Sequence, residues 1–226
     1  LHFRERPLDA GPLTFDELAE ALGESSLLYD RSGEEHFNVV SAFIKSMRGS
    51  APDAALYWLA RMVEAGEDPL FLARRLVIFA SEDVGLADPR ALQIALACKD
   101  AVHFLGLPEG KFALSEATLY LATAPKSAST KGYFAAAAAV RQLGALPVPL
   151  HLRNAATPLM GELGYGKGYR NPHDYVGDFV ADSYLPDELE PARFFQPGDQ
   201  GYERTVAERL ALWDRRKEGG DQRRKR

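Results

Sequence analysis

The stretch Pro52-Asp-Ala-Ala-Leu-Tyr-Trp-Leu-Ala-Arg-Met-Val63, continued by Asp68-Pro-Leu-Phe-Leu-Ala-Arg-Arg-Leu-Val-Ile-Phe-Ala80, decides the fold. Apolar residues return every three or four positions: Leu56, Leu59, Ala60 and Val63 in the first segment, then Leu72, Leu76, Phe79 and Ala80 in the second. That is the period of a helix with one face turned to neighbours. Ala91, Ile94, Ala95, Cys98 and Val102 carry the pattern onward. Pro52, Pro69, Pro89 and Pro108 recur at intervals of 17, 20 and 19 residues, two of them behind Asp68 and Asp88. Proline suits a first helical position, where its missing N–H costs nothing, so each interval predicts one helix. Short connections between helices of this length favour antiparallel packing. The expected fold is all-α, a helical bundle of stacked antiparallel helix pairs.

Outward from this centre, Thr14 and Glu17 have capping-box spacing and predict a helix over Phe15–Leu22. A second is predicted over Glu34–Met47, closed by Gly49 in the left-handed position after a helix end. Helices are also expected over Glu109–Ala122 and Thr130–Gln142, the latter with an Ala135–Ala139 run that permits close helix approach. From Pro147 onward seven prolines break the chain, and eight Phe or Tyr fall from Tyr165 to Tyr202. This predicts an irregular Pro/aromatic-rich C-terminal arm wrapped over the bundle and anchored by rings. A last helix is predicted over Tyr202–Lys217, with Val206, Leu210 and Trp213 on one side.

The 226 residues, 46% of them apolar, suffice for a large core. No window approaches a membrane span, and residues 1–13 have neither the charge nor the apolar run of a signal peptide. Leu1 reads as a cut rather than a natural start. A single cysteine, Cys98, fits a reducing cytoplasm and reads as a buried structural thiol.

Charge is unevenly placed. Residues 1–116 carry 11 basic and 19 acidic side chains and residues 171–214 carry 3 and 10. Between them, Lys126, Lys131, Arg141, Arg153, Lys167 and Arg170 face Glu162 alone, and residues 215–226 hold 7 basic against 2 acidic. This asymmetry marks Lys126, Lys131, Arg153, Lys167 and Arg170 as candidate contacts for DNA phosphates or an acidic partner, with a solvated face as the plainer reading.

Chemistry has little foothold. Gly161-Glu-Leu-Gly-Tyr-Gly-Lys167-Gly168 satisfies a P-loop until the last position, where Gly168 replaces the hydroxyl that would hold Mg²⁺. Asn154–Leu163 reads as a short helix rather than the strand a P-loop requires. The five histidines show no ligand spacing, and no Gly-x-Ser-x-Gly elbow occurs. Arg74-Arg75 and Glu82-Asp83 read as surface charges. No catalytic, cofactor-binding or metal-binding residue is assigned.

Several segments resemble one family in order: Tyr29-Asp-Arg-Ser-Gly-Glu-Glu-His-Phe37, Ser46–Arg61, Ala80-Ser-Glu-Asp-Val-Gly-Leu-Ala-Asp-Pro-Arg90 and His151-Leu-Arg-Asn-Ala155. Tyr120-Leu-Ala-Thr-Ala-Pro-Lys-Ser127 and Leu163–Tyr175 extend the match to roughly residues 14–213. The family is RarA, also called MgsA, AAA+ ATPases of replication and recombination related to clamp loaders and the Werner-helicase-interacting ATPase. Ala128-Ser-Thr-Lys131-Gly departs from the run its relatives tend to carry.

The resemblance is to the family's C-terminal part. It implies the end of an AAA+ lid over 1–30, a helical oligomerisation domain over 31–146, the arm and last helix of that domain over 147–214, and a disordered basic tail over 215–226. It further implies a non-catalytic fragment without cofactor, with ATP and Mg²⁺ held upstream in a DNA-stimulated ATPase acting at stalled forks. The implied partners are further copies of itself, as a homotetramer; the positive segment 117–170 offers the alternative of a module that binds DNA or single-strand-binding protein. The implied location is the cytoplasm, at the nucleoid.

Overall fold

The computed structural model describes residues 34–219 and Lys225. The helix expected over Phe15–Leu22 and the lid segment 1–30 lie outside the described residues. The chain divides into two compact units, one of residues 1–81 and 90–124, the other of residues 82–89 and 125–226. The composition change at Pro147 therefore falls inside the second unit. Among the described residues no strand forms, and the fold is all-α.

The first unit holds α1 (Glu34–Arg48), α2 (Pro52–Glu64), α3 (Pro69–Phe79), α4 (Arg90–Leu105) and α5 (Gly110–Thr123). Helix α5 packs against each of the other four. Small residues on its inner faces, Ala117, Thr118 and Ala122, let those neighbours approach, while Leu114 and Leu121 are fully buried between them. Burying a leucine side chain contributes about 2 kcal/mol, so these two anchor the hub. Pro52 and Pro69 do open helices, and Asp68 caps α3 by accepting from the N–H groups of Leu70 and Phe71 at 3.0 and 3.1 Å. Pro89 and Pro108 instead stand ahead of the first helical residues, Arg90 and Gly110.

Two expectations shift on contact with the fold. In α2 the buried face is Ala55, Leu59, Met62 and Val63, and Ala60 is exposed. The left-handed residue after α1 is Ser50, with φ 56°, not Gly49. Gly49 still continues the helical bonding by donating to Lys45 O, and the turn closes one residue later.

In the second unit the chain forms a π-helical turn over Ala80–Val84, of which 82–84 belong here, then a 3₁₀ turn over Gly85–Ala87. It resumes at Pro125 with a 3₁₀ turn Ser129–Lys131, α6 (Gly132–Leu143), α7 (Pro158–Glu162) and α8 (Gly201–Glu218), joined by irregular chain. The start of α8 sits on the 85–87 turn so closely that a Cβ on Gly201 would lie 2.1 Å from the Ala87 carbonyl oxygen. Gly132 is pressed in the same way against the Phe194 carbonyl oxygen.

Helix α8 runs to Glu218, one residue past the end predicted at Lys217, so Arg215, Arg216 and Lys217, which the domain division had assigned to the basic tail, form its last turn. There their charge meets the negative end of the helix dipole. Among the arm's eight Phe and Tyr residues, Tyr175 alone is buried, while Tyr169, Tyr184, Phe195 and Tyr202 are exposed. Tyr165, Phe179 and Phe194 are half-buried, and Phe179 stacks on Trp213 with ring centroids 6.3 Å apart, so only part of the aromatic set is held.

Candidate functional site

The second unit is organised around a carboxylate. Gln200 and Gly201 turn the chain into α8, and Glu203 in its first turn is wholly shielded from solvent. Both its oxygens accept the Ser127 hydroxyl at 2.8 Å, and it also accepts from the Ser129 hydroxyl and the Gly198 N–H. Ser129 N–H in turn donates to Ser127 Oγ at 3.1 Å, and Ser127 N–H to the Asp83 carbonyl at 2.8 Å. Burying a carboxylate is costly unless hydrogen bonds replace its water. Three donors and the positive end of a helix supply that replacement here.

The clamp presents Lys126 and Lys131 at a cleft of about 540 Å³ that Gln196, Asp199 and Gln200 also line. Burial lowers the Lys126 ammonium pKa, opposed in part by Asp83. Lys131 pairs with Glu82 at 3.4 Å. The other candidates lie elsewhere. Arg153 donates to the Val148 carbonyl at 2.6 Å and to the Tyr165 hydroxyl at 3.3 Å, its guanidinium over that ring. Arg170 binds both oxygens of Asp182, and the hydrogen bond to that carboxylate raises its pKa further. Lys167 is exposed. The structure brings Lys126 and Lys131 to one cleft and commits Arg153 and Arg170 to internal bonds.

The Gly161–Gly168 run is a helix end followed by glycine turns. No strand precedes it: α7 does, and Leu163, Gly164 and Tyr165 donate their N–H groups back to Leu159, Gly161 and Met160. Gly166 donates to Leu150 O, Lys167 to Gly164 O and Tyr169 to Gly166 O. The amides that would cradle a phosphate are spent on the chain's own carbonyls. Positive φ at Gly164, Gly166 and Gly168 explains the glycines without a ligand. Among the described residues no group of His, Cys, Asp and Glu could hold a metal ion, and no helix is long and apolar enough to cross a membrane.

Sequence reasoning missed Glu203 and misplaced Asp83, which is buried rather than on the surface. The available signal for Glu203 was an acidic residue in the first turn of a helix after Pro197-Gly-Asp-Gln-Gly201. Nothing local could name its serine partners.

A further feature is apolar. None of the twelve residues of α6, Gly-Tyr-Phe-Ala-Ala-Ala-Ala-Ala-Val-Arg-Gln-Leu, is buried. Tyr133, Phe134 and Val140 are 73%, 66% and 62% exposed. The first unit has its own open patch at the α4–α5 turn, where Phe104 and Phe112 are 87% and 81% exposed. Large apolar groups left open in this way mark interaction surfaces.

Comparison with known proteins supplies the context. Residues 49–214 match the family model described as MgsA AAA+ ATPase C terminal, and residues 4–48 match an AAA C-terminal domain. The chain is 47% identical over 196 residues to replication-associated recombination protein A of Escherichia coli K12, covering 86% of this chain and 44% of that relative. It is 48% identical over 197 residues to the protein of that name from Haemophilus influenzae, with coverage of 85% and 44%. With ATPase WRNIP1 of Dictyostelium discoideum it shares 41% over 186 residues, 81% of this chain and 21% of that one. The chain thus spans less than half the length of these relatives.

Proposed function

Since the chain belongs to the MgsA family of AAA+ ATPases and corresponds to its C-terminal region, we propose that it is the family's assembly module, self-associating to hold ATPase cores together. The carrying observation is α6, an apolar helix with no buried residue. Exposed aromatic surface of this kind is costly in water and is normally covered. A homotetramer, as the resemblance implies, needs two self-complementary patches if it has two kinds of two-fold axis. The α6 surface and the Phe104–Phe112 patch are two such surfaces. On this reading the chain is not itself an enzyme. ATP and Mg²⁺ belong to an upstream core, and the whole protein is a DNA-stimulated ATPase maintaining replication forks, in the cytoplasm at the nucleoid.

The test is the absolute mass of the chain by light scattering over concentration and salt. A mass of four chains supports the reading, two would retain self-association without the tetramer, and a monomer throughout would overturn it.

A second reading is a module binding DNA or single-strand-binding protein through the positive segment 117–170. Exposed Lys167 and the cleft lysines Lys126 and Lys131 favour it. Charge reversal at these three should then weaken binding, less so at high salt. Unchanged affinity would remove it.

A further inference from the structure

The two family matches meet at residues 48 and 49, where α1 ends and the turn into α2 begins. We propose that this meeting point is a fixed joint rather than a hinge. On this reading α1, which closes the AAA C-terminal match, is a structural part of the bundle that follows, and the bundle sets the position of the helix end to which upstream chain attaches. What the joint means for the arrangement of several ATPase cores rests on the self-association reading above; the joint itself does not.

A hinge needs a few residues whose backbone angles are free to change. Only Gly49, Ser50 and Ala51 separate the two helices, and each spends its N–H within the turn: Gly49 on Lys45 O at 2.8 Å, Ser50 on Met47 O at 3.1 Å and Ala51 on Ser46 O at 2.9 Å. Pro52 then opens α2 with its φ fixed by the ring. Along α1, Val39, Val40, Phe43 and Met47 follow one helical stripe. All four are buried where α1 packs on α2 and α5. A helix that supplies four core side chains cannot swing without opening a close-packed interior.

The other end of α1 is tied as well. Glu35 pairs with Arg61 of α2, whose guanidinium also lies over the Trp58 ring, 5.5 Å from its centroid. His36 Nδ1 lies 3.1 Å from Glu67 Oε2, with both side chains largely out of solvent. The His36 ring also meets Phe71, with centroids 5.4 Å apart. Polar ties withdrawn from water in this way are little screened by salt. Arg61, Glu67 and Phe71 all belong to the second match, residues 49–214, so the bundle holds the last helix of the first match at both ends and along its length.

Native-state hydrogen exchange at low denaturant tests the joint on this chain. The amides of residues 39–47 should open in the same transition as those of α5, with protection within about tenfold, because the members of one cooperative unit open together. Inserting Gly-Ser-Gly after Ser50 doubles the connection, and should lower α1 protection only about threefold, the order of one doubling of loop length. In the whole protein, a nonhydrolysable ATP analogue should leave residues 39–47 as protected as before. Exchange of α1 about a hundredfold ahead of α5, its release by the insertion, or its exposure on nucleotide binding would each overturn the fixed joint. Light scattering keeps the two readings apart. A monomeric chain in which α1 and α5 open together overturns assembly and keeps the joint, and a tetramer in which α1 opens first does the reverse.

Discussion

In the first unit Phe43, Met47, Met62, Leu72, Leu76, Phe79, Leu114 and Leu121 are all removed from water, whereas in the second the largest fully buried side chain among the described residues is that of Glu203. The first is held by apolar burial, the second by a carboxylate clamp and by glycines pressed against carbonyls. A unit of the second kind leaves its apolar residues on the surface, as α6 does. The first unit thus has a large apolar core beside its open Phe104–Phe112 patch, whereas the second encloses little apolar volume and leaves a whole helix without a buried residue.

The sharpest way to break the contrast is from the apolar side. Phe43→Ala should cost about 4 kcal/mol, the loss of a ring plus the cavity it leaves. Hydrogen exchange should speed up across α1–α5, with the bonds around Glu203 retaining their protection. Equal loss in both units would mean that they do not stand apart energetically.

Next in size, Gly201→Ala should cost about 3 kcal/mol, because its φ of 52° disfavours any side chain and the new methyl would meet the Ala87 carbonyl. Exchange should rise at the 82–89 turn and at the start of α8 while α5 is unaffected. Glu203→Gln should follow at about 2 kcal/mol, the order of a hydrogen bond to a charged group. An amide keeps one acceptor oxygen and turns an NH₂ toward donors that previously met a second oxygen. The Ser127–Ser129 loop should then exchange faster, and a variant as protected as the parent would show that the clamp is not what holds the unit.

These two units also differ in how far they could be read from the chain. The stripe of α3 was fully legible because Leu72, Leu76 and Phe79 follow one helical period beside charged Arg74 and Arg75. Even there Arg75 is only half exposed, with its Nε buried and unpartnered among the described residues. In α2 the buried face was set by the fit of Ala55 and Met62 against neighbours, and apolar residues all round the helix left the period ambiguous. For α6 the alanine run fixes a helix but no face, since every side is apolar. Glu203 was illegible for a different reason: its partners Ser127 and Ser129 lie more than seventy residues away in the chain. Local pattern finds a helix end with an acid in its first turn, but only the fold brings the hydroxyls to it. The five basic residues were visible as a sequence cluster, yet Asp182 and Glu82, which neutralise two of them, lie outside that run.

The smallest predicted change has the opposite sign. Thr118 lies on α5, fully buried, and its hydroxyl has no hydrogen-bond partner among the described residues. A hydroxyl taken out of water without a partner loses its hydration for nothing, and valine has nearly the same shape. Thr118→Val should therefore stabilise the first unit by about 1 kcal/mol, read as slower exchange in α5 and a higher denaturant midpoint at an unchanged slope. A loss of stability would mean that the hydroxyl reaches a partner, with the backbone carbonyl one turn earlier the nearest in sequence. The apolar character of this unit would then include one polar bond at its hub. A gain leaves the contrast sharper than it stands: a bundle improved by removing a polar atom, beside a unit that depends on one.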